Sequence, residues 1–173
     1  MLENALRGAL EYEIKVRDVY RNAAREVQDQ EGRKVVEKLA SEEQEHVNYL
    51  VGLLKELKET GVIRSQAIPQ SLPDSDALTQ HVNVLKHRMS GGNTSIAEIE
   101  SDVSILNRAI EVEQETSGFY QQMADEMPPE HKDLFKRFVE IEKGHLAIVK
   151  AELDFLQGAG FWFDFPEFNL ENE

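Results

Sequence analysis

The chain has 173 residues, 40% hydrophobic and 30% charged, which suits one helix-rich domain with its own core and requires no second domain. Its net charge of −14, with no basic cluster, excludes nucleic acid and anionic membrane surfaces as partners and makes cations the natural ones. The lack of cysteine excludes disulfides, thiolate zinc sites, cysteine-ligated iron–sulfur clusters and a cysteine nucleophile, so interior chemistry must use oxygen and nitrogen donors.

The opening MLENALRGALEYE has neither the basic end nor the apolar run of a signal peptide. No stretch approaches the ~20 apolar residues of a membrane span, and a cytoplasmic location is expected. Apolar residues recur at threes and fours, the helical period. A first helix is predicted over about residues 3–29 and a second over about 33–60, with Gly32 and Gly61 as terminators; the two make a hairpin. Residues 61–94, with Pro69, Pro73, Ser90, Gly91 and Gly92, read as a connection carrying a short helix near 76–89. Ser95 and Glu98 form a capping box for a third helix reaching about Met127. Pro128-Pro129 then punctuates, and Pro129 fits the first turn of a fourth helix that runs to about Leu156, before Gly158 and Gly160. The tail 158–173 gathers five aromatic residues within 161–168 and reads as a flap over one bundle end, with a dimer contact or docking surface as the sharper alternative.

Four helices of this size, each ~40 Å long at ~1.5 Å per residue, pack most economically as an all-α four-helix bundle. Hairpins at 3–60 and 95–157 are joined by the long crossover 61–94, which is enough chain to travel the bundle's length and start the second hairpin from the same end as the first. This is the ferritin-like arrangement, in a single domain spanning 1–173. The crossover would also permit hairpin exchange between two chains, so a homodimer is expected.

An internal repeat joins the two hairpins. ALEYEIKVRDVY at 9–20 aligns with AIEVEQETSGFY at 109–120, and EEQEH at 42–46 aligns with IEKGH at 141–145, pairing Glu43 with Glu142 and His46 with His145. Two similar hairpins facing each other imply an approximate twofold axis.

Each helix carries an apolar stripe that turns polar at its middle. The stripes are Leu2, Leu6, Ala9, Glu13, Val16, Tyr20, Ala23, Val27; then Val36, Leu39, Glu43, His46, Leu50, Leu53, Leu57. In the second hairpin they are Leu106, Ala109, Glu113, Thr116, Tyr120, Met123, Met127; then Phe135, Phe138, Glu142, His145, Val149 and, one position off, Leu153. Burying an unpaired carboxylate costs several kcal/mol, so Glu13, Glu43, His46, Glu113, Glu142 and His145 need a common explanation. Four carboxylates and two imidazoles at one level supply oxygen and nitrogen donors for two divalent ions, with the charges offset. A Glu-x-x-His pair lies on one helix face and can grip one ion. Glu11, Glu42, Glu45, Glu111 and Glu115 fall off the stripes and read as solvated; His81, His87 and His131 read as surface residues, and Met123 and Met127 as core. Tyr20 and Tyr120, seven residues after each lone Glu, are placed to hydrogen-bond a carboxylate of the site.

A lone Glu on one helix and Glu-x-x-His on the next, repeated twice with those tyrosines, resembles the di-iron ferritin-like proteins, and most of all the rubrerythrin family, over residues 3–156. The resemblance implies two iron ions per chain, manganese or zinc being able to substitute. It further implies an oxidoreductase that reduces hydrogen peroxide or dioxygen and serves against oxidative stress. Glu13 and Glu113 would then be terminal or shifting ligands and Glu43 and Glu142 bridges, with His46 and His145 each giving one nitrogen ligand. Glu13, Glu113, Tyr20 and Tyr120 are the residues expected to take part in catalysis. Members of that family usually carry a four-cysteine rubredoxin module; this chain has none, so an external electron donor is implied. They also usually have a further glutamate one turn before the third-helix ligand, where this chain has Ile110. The competing function is iron handling, storage or sensing without catalytic turnover.

Overall fold

The computed structural model describes residues 1–64 and 96–157. Four helices occupy them: α1 (Leu2–Glu26), α2 (Gln30–Thr60), α3 (Ile96–Glu126) and α4 (Pro129–Leu156). The fold is the expected all-α, ferritin-like four-helix bundle. α1 packs along α2, α3 along α4, and the hairpins meet chiefly through α1 and α3. The predicted short helix near 76–89, the Ser95–Glu98 capping box, the Gly158 and Gly160 stop and the aromatic tail lie outside the described residues. Among the described residues no helix is long and apolar enough to cross a membrane.

Helix ends follow local chemistry. Gly61 caps α2 in the left-handed conformation, φ 76°, with its N–H donated to Leu57 O. Pro129 opens α4, where its missing N–H leaves nothing unsatisfied. The first turn differs from expectation. Gly32 does not terminate α1; it lies in the first turn of α2, whose N-cap is Asp29. The Asp29 carboxylate accepts from Gly32 N at 2.6 Å, and a Cβ on Gly32 would meet that Oδ2 at 3.1 Å, so glycine permits the close approach. Asp102, fully buried on α3, accepts from Gln28 N and Asp29 N, while Arg33 donates to Val27 O. These contacts set the turn at 27–29.

Two apolar clusters fill the ends of the bundle. One joins Leu6, Ala9, Leu50, Leu53, Phe135 and Phe138; the other joins Val16, Ala23, Val36, Leu39, Leu106 and Val149. Met127 is buried and Met123 partly buried, as expected of core residues. The clusters also fix the helix directions. The start of α1 and the end of α3 share one cluster, and Glu13 touches Tyr120 while Tyr20 touches Glu113, so α1 and α3 are antiparallel. The second hairpin therefore starts from the opposite end to the first, which corrects the expected same-end start. α2 finishes at the first end while α3 begins toward the other.

Candidate metal centre

Between the apolar clusters lies a polar layer built by the four stripes. Glu13, Glu43, His46, Glu113, Glu142 and His145 are all fully buried there. His46 Nδ1 sits 3.1 Å from Glu13 Oε2 and 3.0 Å from Glu43 Oε2, in hydrogen-bond geometry with both. His145 Nδ1 approaches Glu43 Oε1 at 2.6 Å and Glu113 Oε1 at 4.0 Å. The two imidazoles stack with ring centres 5.5 Å apart, and Phe138 closes over His46 edge-on at 5.5 Å.

The tyrosines cross between hairpins. Tyr20 donates its hydroxyl proton to Glu113 Oε1, and Tyr120 donates to Glu13 Oε1, both in short contacts. Tyr120 also stacks face to face on Phe138 at 4.6 Å. Each hydroxyl thereby fixes one oxygen of a lone glutamate and leaves the other oxygen facing inward.

Burial and crowding spread the proton affinities. Burial, reinforced by the charge on Glu43, pushes Glu13 up to about 8, with His46 opposing. Burial raises Glu113 to about 7, with His145 opposing. Glu142 is carried well above the carboxylate range by burial and by the charges of Glu13 and Glu43. Burial acts upward on Glu43 too, but His145 and His46 outweigh it, and its carboxyl falls well below the usual range. Burial alone would lower both histidines, yet Glu43 and its neighbours raise His46 to about 9 and His145 well above its ordinary value. Both tyrosine hydroxyls are raised by burial and by the glutamates they contact. Burial and the charge of an ionised Glu43 thus favour protons on Glu13, Glu113, Glu142 and the two rings, and cations of higher charge would displace them.

A metal pair fits this donor set. Glu13, Glu43, His46 and Glu142 bring one ligand atom each to within 4.8 Å of one another, as do Glu43, Glu113, Glu142 and His145. Glu43 and Glu142 belong to both groups, the arrangement that two adjacent ions need. Several of the buried atoms have no hydrogen-bond partner: Glu43 Oε1, Glu113 Oε2, both oxygens of Glu142 and both nitrogens of His145. Buried polar atoms left in this condition ask for a ligand.

All six residues selected by periodicity thus come together. Glu11, Glu45, Glu111 and Glu115 are exposed, as read from the sequence. Two readings fail. Glu42 is not a solvated charge: its side chain is only 16% exposed and its Oε2 lies 3.2 Å from His145 Nε2. His131 is half-buried in the first turn of α4 rather than at the surface. Glu42 escaped because its partner sits on another helix; the one signal for it was its place in the repeat opposite the apolar Ile141.

The rubrerythrin family model matches residues 4–153 of this chain. A solved structure of a hypothetical protein from Pyrococcus furiosus superimposes with a TM-score of 0.63, at 18% identity and with 92% of each chain covered, which supports the fold alone. No curated protein matches.

Proposed function

Because the chain belongs to the rubrerythrin family, we propose that it is a non-haem di-iron oxidoreductase that reduces hydrogen peroxide or dioxygen with electrons from an external donor. The observation that carries this reading is the pair of four-donor groups sharing Glu43 and Glu142. Glu13 and His46 would complete one iron's ligands, Glu113 and His145 the other's, and Glu43 and Glu142 would bridge. When bound, two ferrous ions supply the two electrons that reductive cleavage of an O–O bond consumes. Zinc, which has no redox chemistry, would occupy the same donors without turnover.

The chain's own residues supply the rest. The apolar clusters on either side of the layer exclude bulk water and strengthen every electrostatic contact within it. Tyr120 and Tyr20 hold one oxygen each of Glu13 and Glu113, limiting these ligands to rotation about a fixed point. Burial and the charges of Glu13 and Glu43 favour the protonated form of Glu142, and a bound cation would replace that proton.

Iron handling is the second reading, and Ile110 favours it. This side chain lies one turn before Glu113, half-buried and packed in the second apolar cluster, where the family resemblance would put another carboxylate. Without that carboxylate the ions have fewer alternative ligands between redox states. Anaerobic di-ferrous protein mixed in stopped flow with equimolar peroxide or dioxygen separates the two readings. Faster oxidation by peroxide, with turnover once a reductant is present, is the expected result. Oxidation by dioxygen at an equal or greater rate, with the iron retained, would replace it by iron handling.

A further inference from the structure

The aromatic side chains are distributed unevenly about the approximate twofold. Tyr12 stacks on Phe119 with ring centres 4.7 Å apart, Phe119 meets Tyr120 edge-on at 5.6 Å, and Tyr120 stacks on Phe138 at 4.6 Å. Phe138 in turn closes over His46 at 5.5 Å and touches Tyr49 at 6.2 Å. These are the separations of rings in direct contact. Phe119 fits because Gly8 faces it, where a Cβ would meet the ring at 3.0 Å. At the positions of Tyr12, Phe119 and Phe138 the repeat puts Val112, Val19 and Leu39 in the other half. The apolar cluster around Tyr20 is otherwise aliphatic among the described residues.

The three tyrosines on this run of rings differ in what can take a phenol proton. Tyr120 is fully buried and already donates to Glu13 Oε1. The Tyr49 hydroxyl is buried and has no hydrogen-bond partner. Tyr12 is partly exposed, so water can receive its proton. Loss of an electron turns a phenol into a strong acid, and a tyrosine is therefore readily oxidised only where an acceptor stands ready. Tyr120 has one inside the protein, Tyr12 has one outside, and Tyr49 has none.

Resting on the di-iron reading above, we propose that Tyr120, Phe119 and Tyr12 carry one-electron oxidising equivalents out of the polar layer, with Tyr12 as the exit. Such equivalents arise when hydrogen peroxide meets a layer holding a single ferrous ion: one electron instead of two reaches the O–O bond, which breaks to hydroxide and a hydroxyl radical. An electron from the Tyr120 ring reduces that radical to a second hydroxide, and the phenol proton passes to Glu13 Oε1, its acceptor. Tyr12 then returns an electron to Tyr120 across the Phe119 ring, Tyr120 recovers its proton from Glu13, and Tyr12 releases its own proton to water. In sum, one ferrous ion is oxidised, one peroxide becomes two hydroxides, one proton is released, and a tyrosyl radical remains on Tyr12. An external reductant of the kind the proposed function requires restores Tyr12 with one electron and one proton. Phe119 provides the contact between the tyrosines and is not itself oxidised. Tyr20 donates to Glu113 as Tyr120 does to Glu13, but its aliphatic surroundings give an oxidising equivalent no way out.

The test is freeze-quench electron paramagnetic resonance on chelated full-length protein, reloaded with substoichiometric ferrous ion and mixed anaerobically with hydrogen peroxide. Peptide mapping of a spin-trap adduct locates the radical. A tyrosyl signal is expected, with the adduct on the peptide carrying Tyr12. Tyr12→Phe should lose that adduct and leave the signal on Tyr120, broadened by the nearby ferric ion. Phe119→Leu interrupts the rings with every tyrosine in place and should lose most of the Tyr12 adduct, whereas radicals made in solution would not depend on Phe119. Tyr49→Phe should change neither signal nor adduct. Should Phe119→Leu lose helix content, Tyr12→Phe, which removes only a hydroxyl from a partly exposed ring, decides alone. Ferrous oxidation without a tyrosyl signal, a signal unaltered by Tyr12→Phe, an adduct centred on Tyr20 or Tyr49, or a Tyr12 adduct undiminished in folded Phe119→Leu would overturn the proposal while leaving the metal pair intact. Failure of peroxide to oxidise the bound ferrous ion at all would overturn the peroxide-reducing reading itself.

Discussion

Removing metal should make the protein progressively less stable as the pH rises, and the polar layer sets the size of the effect. Glu13 goes from 4.5 to about 8 on folding and Glu113 from 4.5 to about 7, both because burial penalises their charge. A group with a raised folded pKa contributes stability that is fully present below its unfolded pKa and is lost as pH climbs through the folded value. The windows are therefore 4.5 to about 8 for Glu13 and 4.5 to about 7 for Glu113. His46, raised from 6.5 to about 9, extends the decline to the alkaline side. Glu43 has the opposite sign: its lowered pKa contributes stability above 4.5 that is lost in acid. At ~1.4 kcal/mol per pH unit, Glu13 alone corresponds to ~5 kcal/mol and Glu113 to ~3 kcal/mol. The carboxyls share one layer and exchange protons, so their joint effect is nearer ~5 kcal/mol than the sum.

Urea denaturation of chelated protein, followed by far-UV circular dichroism between pH 5 and 9, measures this decline. Glu13→Gln replaces the titrating acid with a neutral isostere and should flatten the curve between pH 5 and 8. Glu11→Gln, exposed two residues away, changes the net charge equally and should leave the slope alone. Stability that stays flat or rises from pH 5 to 8, or a Glu13→Gln slope equal to wild type, would refute the burial argument. Binding of divalent ions should reverse the trend, because the ions replace protons and their affinity grows with pH.

Tyr120→Phe keeps the stacking on Phe138 but leaves Glu13 Oε1 without its donor, and should cost about 1–3 kcal/mol in urea unfolding of the chelated protein. Glu43→Ala removes one of the two residues common to both donor groups, and metal analysis should show at most one ion where wild type should hold two. The same variant should lose most of the metal-dependent rise in melting temperature, worth ~2.7 kcal/mol per site at a hundredfold excess over Kd. Asp102→Ala strips the acceptor from Gln28 N and Asp29 N and should destabilise by about 1–3 kcal/mol in the same unfolding assay, with metal stoichiometry unchanged.

What the sequence made legible was whatever depends on one helix at a time. Periodicity picked out Glu13, Glu43, His46, Glu113, Glu142 and His145 because an ionisable residue on an apolar stripe is a local contradiction, visible without knowing what lies opposite. Gly61 and Pro129 were legible for the same reason, since caps are local. Glu42, Asp102 and the register of Gly32 were not. Glu42 and Asp102 are decided by partners distant in sequence, His145 and the turn at 27–29, whereas Gly32 is placed by the local N-cap Asp29, three residues before it. A carboxylate one step off a stripe looks solvated until a neighbouring helix is placed against it.

The direction of the second hairpin was misread, and it governs the chemistry. Had α3 run parallel to α1, the repeat would have set Glu13 level with Glu113 and Tyr20 level with Tyr120, stacking like charges with no donor between them. Run antiparallel, each tyrosine meets the lone glutamate of the other hairpin. Lys15 meets Glu115 and Gln28 N meets Asp102, a register that sets Glu13 and Glu113 about one helical turn, ~6 Å, apart along the bundle axis. That offset puts the two lone glutamates at opposite edges of the layer, one in each donor group, and leaves the middle to Glu43 and Glu142, which belong to both. In the proposed metal centre, a division between terminal and bridging carboxylates would follow from the antiparallel crossing rather than from any chemical difference among the glutamates.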